Sequence, residues 1–547
     1  MSENAQTFGS ARPGSPAPAE SVAIPARPVW RPAVNPWLIG VVVSLAAFME
    51  VLDTSIANVA LPYIAGSIGA SNDESTWVLT SYLVSNAVVL PISGWFASVL
   101  GRKRFFMLCV IIFTLSSLLC GFAPSLGAII LFRILQGAGG GGLQPMAQAI
   151  MADTFPPEKR GLAFALYGVT VIVAPTIGPT LGGWITDNYS WRWIFFINLP
   201  IGILALFLVY RLIEDPPWAK RVEGAFAKID YIGVSLLVLG IGALQIMLDR
   251  GQEDDWFGSR FIVTLMILAA GGLISLVIWE WFYKTPIINV RLYKNLNFLT
   301  SNVMMFMLGV MLFSSLVMMP LFLQTLLGYT AENAGLVLSG GGLLLLFLMP
   351  LAGVLTTKVH ARYIVAFGWL AVAIAMYYST QRLDLQISFV SASWLRVAQV
   401  FGLGFLFVPI NLVSYVGMPA EASGSVAGLV NFMRNIGSSV GTSMVTTLLA
   451  RRAQVHQVFL AAHTSLGQTT VGNATTALSR HVFVAGFDPN RASQKAIALL
   501  YHTVNGQASL LAYIDTFTVL SIIGLVMFVF SFALRKNELG GGRVSLE

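Results

Sequence analysis

Phe48-Met49-Glu50-Val51-Leu52-Asp53-Thr54-Ser55-Ile56-Ala57-Asn58-Val59-Ala60-Leu61-Pro62 closes an apolar run that begins at Trp37. Twenty or more apolar residues span a bilayer as a helix. Glu50 and Asp53 then share one face, because residues three apart on a helix are neighbours. An acidic side chain at the centre of such a helix costs about 2.5 to 3.5 kcal/mol on insertion scales, so these groups face a bundle interior or an aqueous pathway. The stretch therefore points to a secondary transporter in which Glu50 and Asp53 exchange protons.

The whole chain agrees with a membrane environment. Of 547 residues, 56% are hydrophobic and only 10% charged, against roughly 25% charged in a soluble domain. The net charge of +7 fits basic loops that hold orientation. No basic tract interleaved with aromatics appears, which excludes nucleic-acid binding. Cys109 and Cys120 lie too far apart on one predicted helix to form a disulfide. Residues 1-36, rich in Pro, Ala and Ser, read as a disordered tail without a cleavable signal.

Apolar runs predict fourteen spans, near 37-62, 75-97, 105-122, 125-151, 161-186, 193-213, 229-249, 260-283, 298-327, 332-355, 362-379, 392-417, 423-450 and 512-534. With both termini cytoplasmic, most loop lysines and arginines fall inside, among them Arg102, Lys103 and Arg104. The segment Arg133-Ile-Leu-Gln136 reappears as Arg396-Val-Ala-Gln399, and the same offset carries Gly178 onto Gly441. Duplicated halves with a site at their midplane interface are a common transporter plan. Two related halves are the reading this favours, with chance similarity among low-complexity helices the alternative. The expected all-α fold is arranged 6+2+6. Its parts are a tail 1-36, an N-terminal six-helix bundle 37-213, a linker with two extra spans 214-290, a C-terminal bundle 291-534 with an external loop 451-511, and a tail 535-547.

Arg133, Gln136, Gly140 and Gln144 share one helical face. Asp53 and Arg133 sit at similar membrane depth and are expected to meet, either as a poised proton site or as a permanent ion pair. Around Pro175, Gly178, Pro179 and Gly182, small residues four apart allow close helix approach, and the prolines bend the helix. That suits a gate, or equally generic packing. Gly94 to Arg104, with Gly101, combines a turn with a basic cluster. The methionines Met304, Met305, Met307, Met311, Met318 and Met319 suit an adaptable cavity or ordinary core filling. The loop histidines show no metal-ligand spacing, and no metal or cofactor is expected.

These stretches together resemble the major facilitator superfamily, specifically its fourteen-helix drug:proton antiporter branch, from about Trp37 to Leu534. Leu52 to Pro62 is specific for that branch. So is Trp191-Arg192-Trp193-Ile194-Phe195-Phe196-Ile197-Asn198-Leu199-Pro200-Ile201-Gly202, which physics alone reads as an interfacial aromatic belt. The resemblance implies an antiporter motif at Gly178-Pro179, a proton-linked motif at Arg133 and Gln136, and a gating loop from Gly94 to Arg104. In that loop Ser98 stands where the family places an aspartate, and Glu50 is an additional carboxylate.

The expected function is proton-coupled export of amphipathic drugs or toxic compounds, with no enzymatic activity. Asn58, Gln136, Gln144, Gln324, Gln399 and Asn411 are the candidate substrate contacts. The resemblance further implies a bacterial inner membrane, a periplasmic membrane-fusion adaptor and an outer-membrane channel. Rival readings are a dedicated exporter of a fatty or aromatic acid, and a non-transporting receptor or scaffold. An ATP-driven pump lacks its Gly-x-x-x-x-Gly-Lys-Ser/Thr loop.

Overall fold

A computed structural model describes residues 32–217, 230–462, 469–484 and 489–534. Most of both predicted tails and residues 218–229 of the linker lie outside the described residues. The first helix, α1 (Pro36–Ile68), starts where Asn35 accepts the Trp37 N–H at 3.0 Å and Pro36 fits the first turn. It ends at Gly69, whose φ of 72° is a left-handed cap. Pro62 does not end it.

The first half continues as α2 (Trp77–Leu100), α3 (Arg102–Gly121), α4 (Leu126–Thr154), α5 (Pro157–Asn188) and α6 (Trp193–Leu212). Two further helices follow, α7 (Tyr231–Arg250) and α8 (Arg260–Phe282). The second half holds α9 (Leu296–Thr325), α10 (Ala331–Lys358), α11 (Ala361–Arg382), α12 (Phe389–Ser414), α13 (Ser423–Ala462), a connecting α14 (Thr469–Val484) and α15 (Pro489–Phe530).

Thirteen described helices are long and apolar enough to cross a membrane. The fourteenth span, α13, falls short in apolar character because it carries Asn431, Arg434 and Asn435 together with many small polar residues. Its 40 residues nevertheless pack lengthwise on α9 and α15. The 6+2+6 arrangement of fourteen spans stands.

The pairing of helices repeats. In the first half α1 packs on α5, α2 on α4 and α3 on α6; in the second, α9 packs on α13, α10 on α12 and α11 on α15. Between halves, α5 lies against α10 and α2 against α13, again a matched pair. The extra helices α7 and α8 pack on each other, with α7 reaching α2 and α13.

The stretch 451-511, expected as a partly helical loop, is largely carried by extensions of α13 and α15 with α14 between them. Hydropathy marks the thickness of the lipid, whereas a helix continues until its hydrogen-bond ladder is broken, so the two ends need not coincide. At its border Asp515 of α15 accepts from Arg452 at 2.6 Å and lies 2.7 Å from His456. His463 lies outside the described residues, as does the His481 side chain.

Candidate functional site

Glu50 and Asp53 are both buried, at 3% and 2% exposure, and they join two different clusters. Asp53 accepts hydrogen bonds from Arg133 at 2.7 Å, Gln136 Nε2 at 2.9 Å and Asn198 Nδ2 at 2.7 Å. Arg133 also donates to the Val78 carbonyl at 3.1 Å and to Gln136 Oε1 at 2.9 Å. Arg133 and Gln136 come from α4 and Asn198 from α6, so two helices converge on the α1 carboxylate, which binds the first half together.

Glu50 is held otherwise. Tyr82 Oη and Asn86 Nδ2 both donate to its Oε1 at 3.0 Å, and Gln144 Nε2 donates to Oε2. No cation touches Glu50 among the described residues. Arg434, from the second half, reaches it only through Gln144, whose Oε1 accepts from the guanidinium and from Tyr167 Oη. The single Tyr167 hydroxyl proton is shared between Gln144 Oε1 at 3.3 Å and Asn431 Oδ1 at 3.1 Å; Asn431 donates to Gln148, and Gln148 to Asn411. A chain of polar side chains thus runs from Glu50 across the interface between halves.

Gln148 and Asn411 are separated by 263 residues, the offset that relates Arg133 to Arg396. Residues at equivalent places in a two-fold repeat touch only near its axis. The chain therefore crosses the pseudo-symmetry axis at the contact between halves.

Tyr82 couples the two clusters. Its hydroxyl binds Glu50 while its ring lies 4.3 Å from the Arg133 guanidinium. This convergence needs Gly140, because a Cβ there would lie 2.6 Å from Tyr82 Oη, 3.2 Å from Asn86 Nδ2 and 3.3 Å from Glu50 Cγ. Gly140→Val is expected to split the cluster. Its signature is a membrane-inserted protein with transport lost and a lowered unfolding temperature in detergent.

Of the other expected contacts, Gln136 serves Asp53, and Gln144 and Asn411 belong to the interface chain. Gln399 is fully buried inside the second half, donating to Ser379 at 3.0 Å. Asn58 and Gln324 are exposed and join neither cluster. Five of the six methionines, Met304, Met305, Met311, Met318 and Met319, are buried in the core; Met307 is half-buried.

Gly178 and Gly182 pack against Ser55 and Ile56, and Ser55 donates to the Pro175 carbonyl at 3.2 Å, so the Pro175–Pro179 segment lies directly on α1. At the far end of α2, Gly101 turns the chain with a φ of 85°. Arg102 follows and pairs with Asp153 of α4; it also donates to Ser423 Oγ at 2.8 Å and the Ala420 carbonyl at 3.3 Å in the second half. Gly94 meets Ser425 backbone to backbone nearby. Lys103 is tied to the end of α6 through Asp215 and the Tyr210 carbonyl, and Arg104 is exposed. Ser98 donates to Trp95 O on its own helix, and the carboxylate that pairs with Arg102 is Asp153.

Sequence reasoning did not single out Tyr82, Asn86, Tyr167, Asn198, Asn431 or Arg434. A signal existed for Arg434, an arginine within a predicted span, and for Asn198, inside the Trp191–Gly202 string.

Two six-helix halves with matched pairing and a polar site on their shared axis define a secondary-transporter architecture. The major facilitator superfamily profile matches residues 43–442. The chain belongs to that superfamily and is a multi-pass membrane transporter. It is 40% identical over 426 residues to the multidrug export protein EmrB of Haemophilus influenzae, covering 78% of this chain and 83% of that one. It is 38% identical over 485 residues to the fatty acid resistance protein FarB of Neisseria gonorrhoeae, covering 88% and 93% respectively. Among solved structures, the proton:xylose symporter XylE aligns with a TM-score of 0.58 over 92% of this chain and 96% of that one, at 14% identity.

Proposed function

We propose that the protein exports amphipathic toxic compounds across a bacterial inner membrane in exchange for protons. The observation that carries this reading is Glu50, a membrane-depth carboxyl with no direct cation partner among the described residues, linked through Gln144 to Arg434 of the opposite half. A proton arriving at Glu50 removes its charge and weakens its hold on Gln144, which frees Gln144 and Arg434 to rearrange between halves. Deprotonation restores the link. Asp53, saturated by Arg133, Gln136 and Asn198, serves as the fixed strut of the first half, and Tyr82 passes changes at Glu50 to it.

Alternating access needs closure on one side, and Arg102–Asp153 with Ser423 and Ala420 forms a latch between halves at the basic, cytoplasmic end. The fatty acid resistance relative, matched over more of its length than the multidrug one, favours acids among the substrates. The likeness to multidrug export proteins favours a broader range. Screening substrates of each charge type in proteoliposomes with an imposed pH gradient separates these readings; absence of any substrate-driven proton movement refutes export by antiport.

For partnership with a periplasmic adaptor and an outer-membrane channel, the candidate docking surface is the stretch 451–511. Its deletion is expected to abolish co-purification of an adaptor while leaving transport in proteoliposomes. Unchanged capture would place the docking surface elsewhere.

A further inference from the structure

The second half repeats the Arg133 cluster without its carboxylate. Gln136 Oε1 lies 3.6 Å from Cys120 on α3, and Gln399 Nε2 donates to Ser379 on the matching α11 at 3.0 Å. Arg133 is paired with Asp53 on α1, whereas Arg396 meets Ser315 Oγ on the matching α9, at 3.1 Å. Ser315 gives its own proton to the Leu312 carbonyl and so offers Arg396 a neutral oxygen.

Arg396 is 2% exposed, and its Nε has no hydrogen-bond partner. No carboxylate pairs with it among the described residues. Glu332, Asp384 and Glu421 of the second half are exposed, and Asp515 is held by Arg452 and His456. A buried guanidinium that lacks a counter-charge is unfavourable unless an anion accompanies it. The first half solves this with Asp53 and the second half does not.

We propose that a monovalent anion binds beside Arg396, in the place that Asp53 takes beside Arg133. The site lies two helical turns inside α12 from its Phe389 end and takes either a free halide or the carboxylate of an amphipathic solute. It would neutralise Arg396 as Asp53 neutralises Arg133, and it does not depend on Glu50 exchanging protons.

The test is thermal unfolding of the purified full-length protein at constant ionic strength, with sodium gluconate replaced stepwise by chloride, bromide or octanoate. The unfolding temperature of the unmodified protein is expected to rise saturably with at least one of these. A halide response assigns a free ion, and a response to octanoate alone assigns a solute carboxylate. Ser315→Asp supplies the missing carboxylate and is expected to abolish the response while matching the stability of the anion-loaded protein. Should that variant not fold, Arg396→Gln is expected to lose the response likewise. A wild-type curve indifferent to all three anions, or a response retained in both variants, overturns the proposal.

Discussion

Glu50→Gln is expected to uncouple transport from the proton gradient while leaving the protein folded. Glutamine keeps the size of the side chain and accepts the same hydrogen bonds from Tyr82 and Asn86, but it neither gains nor loses a proton. Each proton moved through 100 mV contributes about 2.3 kcal/mol, equivalent to a roughly fifty-fold substrate gradient. Steady-state accumulation driven by the gradient should therefore collapse, whereas exchange of labelled for unlabelled substrate across the same vesicles should continue. Measuring both on one preparation separates loss of coupling from loss of binding. Wild-type accumulation by Glu50→Gln would remove this carboxyl from the coupling step.

Asp53→Asn should behave differently, because what it removes is structural. The substitution leaves Arg133 with no carboxylate in a fully buried site. Breaking one partner out of a buried ion pair costs about 3 to 5 kcal/mol, most of it the charge left behind. A lower unfolding temperature and reduced yield are expected together with loss of both accumulation and exchange. The double variant Asp53→Asn, Arg133→Gln should recover much of the stability without recovering transport, since no buried charge then remains. If Asp53→Asn were as stable as the wild type yet failed only in proton-driven accumulation, Asp53 and not Glu50 would be the exchanging group.

The meeting of Asp53 with Arg133 was legible in the sequence because charges at lipid depth are rare and must find one another. The partition of the two acids was not. Their spacing places both on one face, but α1 passes α4 at a point where Glu50 looks toward Gln144 and Asp53 toward Arg133, and only packing fixes that point. Asn431 was equally hidden, and Arg434, though marked by its charge within a span, had no readable partner, since a polar residue there reveals its importance only once the other half lies against it. The basic cluster after α2 read as an orientation signal, while its carboxylate partner, Asp153, sits at the end of α4, fifty residues beyond the turn. The weak repeat between Arg133 and Arg396 proved informative in the opposite sense, since the matching clusters differ in the one group that carries charge.

The central claim, that a carboxyl at the contact between halves trades protons against substrate, is tested most directly by adding an exported compound to purified protein in weakly buffered detergent and recording pH. Release of protons on substrate binding by the wild type, and none by Glu50→Gln of equal binding capacity, is the predicted result. Substrate binding with no proton release from the wild type, or the same release from Glu50→Gln, would contradict it.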